Sequence, residues 1–210
     1  MIRVLITDDH AVVRSGLKEI VMRELPDAVC GEAEDAQQVV VQVQSQVWDL
    51  VILDINMPGR SGIEVLRDLK RTHPKLPVLV LSMHPEGQYG TRLLKAGASG
   101  YMNKDVAPEE LIKAIRRVLA GGRYVSSALA EKLALDLNKD VDRPLHETLS
   151  DREFEVLRMI ASGKTVSAIG KDLHLSVPTV STYRARILLK MNMTTTAELM
   201  QYGLRNHLVD

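Results

Sequence analysis

Short stretches of mainly apolar residues recur along the first half of the chain, each bounded by polar or turn residues. The five stretches are Ile2–Thr7, Ala28–Glu32, Leu50–Asp54, Leu76–Ser82 and Gly100–Met102. Apolar runs of this kind are typical of strands that are covered on both faces, as in parallel sheets. The pattern therefore predicts five strands of a buried parallel sheet.

The segments between these strands carry apolar residues three and four apart, which is the spacing of a helix with one buried face. The predicted helices are Ala11–Arg23, Asp35–Gln46, Ser61–His73, Glu86–Ala96 and Pro108–Ala120, the third with a capping-box pattern at Ser61 and Glu64. Parallel neighbours need such crossovers, and these are right-handed. The alternation predicts an α/β flavodoxin-like (βα)5 fold over residues 1–122, with the strand order 2-1-3-4-5.

The pattern changes after residue 122. Residues 126–137 have helical spacing and the polar stretch Asn138–Glu147 follows, so residues 123–147 are predicted to be a linker that contains a helix. From Leu149 onward only helical spacing remains, and four short helices are predicted. Ser150, in a capping box with Glu153, begins the first, and the second spans Thr165–Leu173. Ser176 caps the third, and Thr195–Glu198 opens the last. Residues 148–210 are thus expected to form a small all-α domain.

Composition does not change the predicted domains, but it indicates the compartment and a possible partner of the protein. The 210 residues suffice for two small domains, and 27 basic residues balance 27 acidic ones. Residues 148–210 hold eight basic and six acidic residues, a slight excess that points toward nucleic acid. The single cysteine, Cys30, excludes an intramolecular disulfide and fits a reducing compartment. With no membrane-length apolar run and no signal-peptide pattern, we expect a cytoplasmic protein without membrane contacts.

Candidate chemistry lies where the predicted strands end. Asp8 and Asp9 follow the first strand, Asp54 ends the third, Ser82 ends the fourth and Lys104 follows the fifth. Sites in open parallel sheets form at these carboxyl ends, and strands 1 and 3 are expected to be neighbours. Converging carboxylates raise one another's pKa unless a cation offsets their repulsion. Lys104 and a hard divalent cation such as Mg²⁺ are the two candidates.

Each of these residues also has an ordinary interpretation. The acid pair could stabilise the start of the first helix, Asp54 could begin a loop, and Lys104 could be a solvated charge. His10 is interpreted as a structural or rim residue, and Tyr101 could be an ordinary rim aromatic. The shared position of the whole set at one sheet edge favours a joint chemical role.

The set Asp8-Asp9, Asp54, Ser82 and Lys104 resembles the receiver domain of two-component response regulators over residues 1–122. The resemblance implies that Asp54 accepts a phosphoryl group from a sensor histidine kinase. It also implies that Asp8, Asp9 and Asp54 bind Mg²⁺. The backbone carbonyl at the position of Asn56 is a further metal ligand in that family.

The chemistry that the resemblance implies is physically reasonable. A carboxylate is a weak nucleophile, but it can form an acyl phosphate when Mg²⁺ and Lys104 neutralise the phosphoryl charge. Lys104 and the Ser82 hydroxyl can then bond the new phosphoryl oxygens. The resemblance further implies that Tyr101 rotates into the space that Ser82 leaves. Asn56 and His84 match positions that tune dephosphorylation in the family.

The third helix of the second domain has two distinct faces. Its predicted buried stripe comprises Val177, Val180, Tyr183 (or the stem of Arg184), Ile187, Leu188 and Met191, and its opposite face comprises Thr179, Thr182, Arg186 and Lys190. Hydroxyls and lysine can bind DNA phosphates, and arginine can read guanine. With Thr165–Leu173 and the turn at His174-Leu175, the segment predicts a helix-turn-helix. Periodicity alone leaves open a solvated face on a helical interaction domain.

Residues 149–206 resemble the LuxR-type DNA-binding domain. The resemblance rests on Leu149–Leu157, Ile160–Lys164, Ile169, Leu173, Leu175–Tyr183, Ile187 and Lys190–Asn192. With the receiver, it identifies the chain as a member of the NarL/FixJ class of response regulators. The candidate DNA contacts are Lys164, Thr165, Thr179, Ser181, Thr182, Arg184, Arg186 and Lys190.

The helix-turn-helix departs from many relatives. It has Val166–Ile169 where they have Asn-Lys-Glu-Ile, and Ser181 and Tyr183 where they have lysine and histidine. Because few cations remain, we expect weak, salt-sensitive binding by the monomer and tighter binding by dimers on paired half-sites. In the family the last helix, here about Thr196–Tyr202, pairs such dimers.

We therefore predict a transcription regulator, not an enzyme, in which phosphorylation of Asp54 gates dimerisation and binding to promoter DNA. RNA polymerase is a possible further partner. Two alternatives agree less well with the sequence. A LuxR-type regulator that senses a small ligand would not need the acid–lysine set, and a phosphatase with an aspartyl-phosphate intermediate would carry Asp-x-Asp where this chain has Asp54-Ile-Asn56.

Overall fold

The computed structural model describes residues 1–57, 60–83, 86–137 and 144–209. The chain divides into two compact units, residues 1–134 and 135–210. The division lies within residues 123–147, the stretch predicted as a linker. Each unit is described by itself below.

The first unit contains one five-stranded parallel sheet with the order β2-β1-β3-β4-β5. Its strands are β1 (Ile2–Thr7), β2 (Ala28–Ala33), β3 (Leu50–Asp54), β4 (Val78–Ser82) and β5 (Gly100–Asn103). Its helices are α1 (Ala11–Glu24), α2 (Ala36–Ser45), α3 (Gly62–Thr72), α4 (Glu86–Lys95) and α5 (Pro108–Leu119). The flavodoxin-like fold and the strand order predicted from the sequence are confirmed.

Burial explains why the apolar runs form strands. Every residue of β3 and β4 is buried, as expected for strands that are covered by helices on both faces. The predicted fourth strand began at Leu76, but the observed strand begins at Val78. Pro77 accounts for the difference, because it has no N–H to donate to a neighbouring strand and contributes only its carbonyl, to Val51.

The start of α3 differs from the predicted capping box. The Ser61 side chain makes no capping hydrogen bond, although the helix begins directly after it. The N–H of Gly62 instead donates to the Ile55 carbonyl at 3.3 Å. A Cβ on Gly62 would lie 2.3 Å from the Ile55 Cα, so only glycine permits this approach. Helix α3 therefore packs directly on the loop that follows Asp54.

The chain after α5 returns to the sheet before it leaves the first unit. Tyr124 forms a parallel bridge with Gly100, and its carbonyl accepts a hydrogen bond from the N–H of Tyr101 at 3.2 Å. The next helix, α6 (Ser127–Leu137), packs on α4 through Leu129, which is buried. A Cβ on Gly90 of α4 would lie 2.6 Å from a Leu129 methyl carbon. The helix predicted in the linker is therefore anchored to α4.

In the second unit, the described residues 144–209 form a short 3-10 turn, Leu145–Thr148, and four helices. These are α7 (Asp151–Ala161), α8 (Val166–Asp172), α9 (Val177–Lys190) and α10 (Thr196–Arg205). Ser150 and Glu153 form the predicted capping box, and Thr195 and Glu198 form a second one. The core includes Phe154, Leu157, Ile169, Val180, Ile187 and Leu199. The small all-α domain with a helix-turn-helix is confirmed.

The turn between α8 and α9 is tight. His174 adopts a left-handed backbone with φ of 53°, and the N–H of Leu175 donates to the Gly170 carbonyl at 2.8 Å. A Cβ on Gly170 would lie 2.8 Å from the Leu175 carbonyl oxygen. The close contact between Gly170 and Leu175 sets how tightly α9 follows α8.

In the described part of the chain, no helix has both the length and the apolar character needed to cross a membrane.

Candidate functional site

Two carboxylates share one ammonium at the carboxyl edge of the sheet. Lys104 Nζ lies 2.6 Å from Asp8 Oδ2 and 2.7 Å from Asp54 Oδ2. The Asp8 and Asp54 side chains are 1% exposed, and that of Lys104 is 11% exposed. The residues come from the ends of β1, β3 and β5, which the strand order brings to one edge. The structure thus brings together three of the predicted site residues.

The electrostatics of this cluster favour an additional cation. Burial raises the pKa of Asp54, an effect that hydrogen bonds from Lys104 and from the Asn56 N–H oppose in part. Burial alone would lower the pKa of Lys104, but its bonds to Asp54 and Asp8 outweigh this and raise it. Lys104 therefore stays charged. One ammonium cannot neutralise two carboxylates, so negative charge remains at the edge.

Asp9, the second acid of the Asp8-Asp9 pair, lies in the loop between β1 and α1. His10 Nδ1 lies 2.8 Å from Asp9 Oδ1 and 3.2 Å from Asp8 Oδ1. One ligand atom from each of these three residues falls within 4.8 Å of the others, a spacing that could hold a metal ion. Carboxylate oxygens suit Mg²⁺, whereas an imidazole nitrogen suits transition metals. The acid pair therefore fits the magnesium that receiver domains bind, and His10 borders the same group.

The loop after Asp54 bends back toward it. The Asn56 N–H donates to Asp54 Oδ1 at 2.9 Å, and the Asn56 side chain is exposed. Pro58, Gly59 and His84 lie outside the described residues, so the predicted contribution of His84 has no structural counterpart here.

Ser82 and Tyr101, predicted to be the switch pair, are both buried, at 0% and 1% exposure. The carbonyl of Ser82 accepts a hydrogen bond from the N–H of Lys104 at 2.9 Å. The backbone of Tyr101 bonds Tyr124, as described above. Backbone hydrogen bonds thus connect Ser82 to Lys104 and connect Tyr101 to the segment that leads to α6.

Several predicted DNA contacts already have partners within the second unit. Lys164 Nζ pairs with Asp172 at 2.6 Å, and Lys190 Nζ pairs with Glu153 at 2.6 Å. Among the hydroxyls, Thr165 caps α8, Thr179 bonds the hydroxyl of Ser176, and Thr182 donates to the Pro178 carbonyl. The polar face of α9 is therefore more internally bonded than the sequence pattern indicates.

The remaining candidates on α9 differ in exposure. Thr182 and Arg186 are exposed, and no hydrogen-bond partner of the Arg186 guanidinium appears among the described residues. Ser181 and Arg184 are half-buried, and Arg184 Nε has no partner in the described part of the chain. Val177 was predicted to be buried but is 46% exposed. That prediction was wrong, and Val177 is the first residue of α9.

One residue near the acids is absent from the sequence-based set. Arg14 of α1 donates through Nη1 to the backbone carbonyl of Asp8 at 2.7 Å. Helical periodicity places Arg14 on a polar face but gives no sign of a contact with a backbone atom. Similarly, nothing in the sequence pairs Lys190 with Glu153, which lies 37 residues earlier.

The fold and the site together define a class of protein. A five-stranded receiver sheet with two acids on one lysine, followed by a helix-turn-helix, is the architecture of a signalling regulator that acts on DNA. The family model described as "Response regulator receiver domain" matches residues 4–116. The model described as "Bacterial regulatory proteins, luxR family" matches residues 147–202. The chain belongs to the response regulators of the NarL/FixJ class.

Curated relatives match the chain over its whole length. Response regulator GacA of Pseudomonas aeruginosa is 38% identical, and the match covers 100% of this chain and 99% of GacA. Response regulator UvrY of Escherichia coli K12 is 34% identical, with 99% and 96% covered. The chain is thus a two-component response regulator with a receiver domain and a LuxR-type DNA-binding domain, and it regulates transcription.

Solved structures of similar proteins include RcsB of Salmonella enterica serovar Typhimurium bound to the rprA promoter in the presence of the phosphomimetic BeF3-. That structure is 28% identical to this chain, with a TM-score of 0.64, and the match covers 96% of this chain and 98% of RcsB. A second RcsB structure, described as two dimers bound to two parallel DNAs, is 27% identical with a TM-score of 0.60 and covers 98% of each chain.

Proposed function

We propose that Asp54 is the phosphoacceptor and that a sensor histidine kinase supplies its phosphoryl group. The shared ammonium of Lys104, which holds Asp8 and Asp54 at one point of the sheet edge, is the observation that carries this proposal. Asp54 is the one acid of the three that ends a central strand. An ammonium at 2.7 Å from its oxygen could move to a phosphoryl oxygen once one forms there.

Asp8, Asp9, Asp54 and the backbone carbonyl of Asn56 would hold Mg²⁺ in this account. When bound, Mg²⁺ supplies positive charge that offsets the acids and the transferring phosphoryl group. The oxygen donors of the acid pair and the uncompensated negative charge beside Lys104 support this assignment. Asn56, and His84 outside the described residues, are proposed to tune loss of the phosphoryl group.

The switch is proposed to run from Asp54 through Ser82 and Tyr101. Ser82 ends β4, immediately before the loop that leads to α4, and its carbonyl bonds Lys104. Tyr101 bonds the segment that leads into α6, and α6 packs on α4 through Leu129. A change at Ser82 or Tyr101 can therefore reach the linker through contacts within the first unit. The domains are proposed to be 1–122, 123–147 and 148–210, with the first part of the linker packed in the first compact unit.

DNA binding is proposed to use the exposed face of α9, with Arg186 and Thr182 as its most accessible side chains. Lys164 and Lys190 must leave Asp172 and Glu153 before they can contact phosphates, and Thr165, Thr179, Ser181 and Arg184 are further candidates. Because few free cations remain, a monomer should bind weakly, and dimers that pair through α10 should bind paired half-sites. The RcsB structure described as dimers on DNA supports this arrangement by similarity.

Phosphorylation is proposed to gate DNA binding, by promoting dimerisation, by releasing the second domain, or by both. As a bacterial regulator of transcription, the protein is proposed to act in the cytoplasm, where its DNA lies. The test compares the DNA affinity and the molar mass of the full chain with and without phosphoryl transfer. Tighter binding with a doubled mass indicates gating by dimerisation, and tighter binding at unchanged mass indicates release. Equal DNA affinity in both states would refute gating.

A further inference from the structure

Arg14 reaches from α1 to the backbone of the acid pair. Its side chain is 12% exposed, and Nη1 donates to the Asp8 carbonyl at 2.7 Å. On the other side of the guanidinium, Nε lies 3.4 Å from Glu32 Oε2 and Nη2 lies 4.0 Å from Glu34 Oε2. The planar guanidinium is thus held between an edge strand and the loop that carries the two acids.

Asp8 is fixed at several other atoms. Its N–H donates to the Ala33 carbonyl, its Oδ1 accepts the His10 N–H, and its Oδ2 accepts Lys104. None of these contacts involves the Asp8 carbonyl. Among the described residues, Arg14 is the side chain that bonds this atom.

The geometry of the peptide bond gives this contact a consequence. The Asp8 carbonyl lies in one rigid plane with the Cα atoms of Asp8 and Asp9. A donor that holds the carbonyl oxygen therefore restrains the orientation of this plane, and with it the position of the Asp9 Cα from which the side chain leaves the backbone. Asp8 and Asp9 are the two acids proposed to bind Mg²⁺.

We infer that Arg14 is a positioning residue for the cation site, holding the Asp8–Asp9 peptide so that both carboxylates face the same ion. This inference rests on the proposed function of the acid pair. Arg14 touches no reacting atom in this account. Its own positive charge is offset only in part, because Glu32 accepts hydrogen bonds from both Arg14 and Lys18 and Glu34 lies 4.0 Å away.

If Arg14 acted only through its charge, or only in folding, its substitution would affect Mg²⁺ binding differently. If Arg14 acted only through its charge, its removal would strengthen the binding of a cation nearby. If it only tied α1 to β2, its removal would lower the free energy of unfolding but leave the affinity of the folded protein for Mg²⁺ unchanged. Positioning predicts weaker Mg²⁺ binding, which is the opposite sign to the charge effect.

Lys18 offers a matched control. It lies one turn further along α1 and pairs with the same carboxylate, Glu32, at 2.9 Å. No contact between Lys18 and Asp8 occurs in the described part of the structure. Substitution of Lys18 therefore weakens the tie between α1 and β2 without touching the peptide that joins the acids.

The experiment titrates Mg²⁺ into the full-length wild type and the variants Arg14→Met, Arg14→Lys and Lys18→Met by calorimetry at a temperature where all are folded. Substitution of a residue that orients metal ligands costs on the order of 10-fold in metal affinity, and we expect this loss in Arg14→Met. Arg14→Lys restores one donor and should bind with intermediate affinity. Lys18→Met should bind like the wild type.

A second readout is the rate of phosphoryl gain from a small phosphodonor as Mg²⁺ is raised. Arg14→Met should need more Mg²⁺ for its half-maximal rate yet approach the wild-type rate at saturation. Unchanged or stronger Mg²⁺ binding in Arg14→Met overturns the inference, as does an equal loss in Lys18→Met. If Arg14→Met does not fold, wild-type affinity in Arg14→Lys overturns it. Failure of the proposed function is distinct, because the wild type itself would then bind no Mg²⁺.

Discussion

At the residue scale, the surroundings of Asp54 disfavour its charged form. Its carboxyl is buried at the end of β3, and burial raises its pKa even though Lys104 and the Asn56 N–H stabilise the ionised form. The ionised carboxyl therefore destabilises the folded protein at any pH above the raised pKa. A buried acid that costs stability but sits beside a lysine is consistent with selection for chemistry rather than for folding.

Replacing Asp54 by asparagine should accordingly raise the free energy of unfolding near neutral pH, because one fewer buried carboxylate then shares the Lys104 ammonium, which keeps Asp8 as its partner. Because the folded-state pKa is raised, the penalty vanishes as pH falls below the ordinary carboxyl value of 3.8, and the advantage of the variant should vanish with it. Urea denaturation at a series of pH values measures both effects.

The control for this prediction is Asp68→Asn. Hydrogen bonding to Arg60 holds the pKa of Asp68 below its usual range, so this carboxylate stabilises the fold and its loss should weaken it. The two substitutions should therefore shift the free energy of unfolding in opposite directions at neutral pH. Shifts of the same sign would show that the Asp54 carboxylate does not destabilise the folded protein.

A second residue-level prediction concerns the helix-turn-helix turn. His174 has a left-handed backbone, a conformation that disfavours residues with a Cβ. His174→Gly should raise the free energy of unfolding by about 0.5–1 kcal/mol, since the steric cost of the left-handed backbone, ~1–2 kcal/mol, exceeds the entropic cost of glycine, ~0.5–1 kcal/mol. Ser162→Gly, at a helix end with φ of −73°, should instead be destabilising. Thermal denaturation compares them, and a loss of stability in His174→Gly would contradict the argument.

At the scale of elements, the sequence does not predict that α6 packs on α4. The sequence predicts its residues 126–137 as a helix but gives no sign that Leu129 lies against Gly90 of α4. The contact depends on a glycine more than 30 residues away, which only the fold brings into range. It places the proposed linker in contact with a helix that starts near the switch residue Ser82.

Leu129→Ala should release α6 from α4. Removal of a buried leucine side chain costs about 2–5 kcal/mol, and here the loss should be local to α6. Hydrogen exchange should quicken at α6 amides and stay slow in the β-sheet. Glu131→Ala, an exposed position on the same helix, should leave α6 protection unchanged. Wild-type exchange of α6 in Leu129→Ala would mean that the contact does not hold the helix.

Helix α9 is held at its end by an ion pair rather than left free for DNA. Burial alone would raise the pKa of Glu153, but Lys190 and the N–H of Ser150 lower it below the usual range. The pair therefore contributes stability that is present at neutral pH and is lost as pH falls through the lowered pKa of Glu153.

Lys190→Met should cost about 1 kcal/mol at neutral pH, a modest value because Lys190 is partly exposed and screened by solvent. The difference from the wild type should shrink below about pH 4.5, where Glu153 becomes protonated in the unfolded chain. If Lys190 instead serves as a phosphate contact, the salt dependence of DNA binding should fall by about one ion. An unchanged salt slope with reduced stability supports the structural role.

For the whole molecule, the sequence predicted the strands, their order, the two domain types and the residues at the sheet edge. These follow from local periodicity and from the rule that parallel strands end at one edge. The contacts of Arg14, Lys190 and Leu129 could not be predicted. Each joins residues from separate elements, and the distances depend on packing that no local pattern contains. The capping box predicted at Ser61 does not form, and the close approach of Gly62 to Ile55, which the sequence does not indicate, holds this end of the helix.

The two units also divide the function of the molecule. The first carries the buried acids and the proposed phosphoacceptor, and the second carries the helix-turn-helix with few free cations. Neither feature accounts for regulated transcription without the other. The central claim of the account is therefore that Asp54 takes up a phosphoryl group, because everything proposed for the second unit follows from that event.

The direct test is the intact mass of the full-length protein after incubation with Mg²⁺ and a small phosphodonor. The wild type should gain the mass of one phosphoryl group, and Asp54→Ala should gain none. Omission of Mg²⁺ should abolish the gain in the wild type. A wild type that gains no mass, or an Asp54→Ala variant that gains as much as the wild type, would contradict the account.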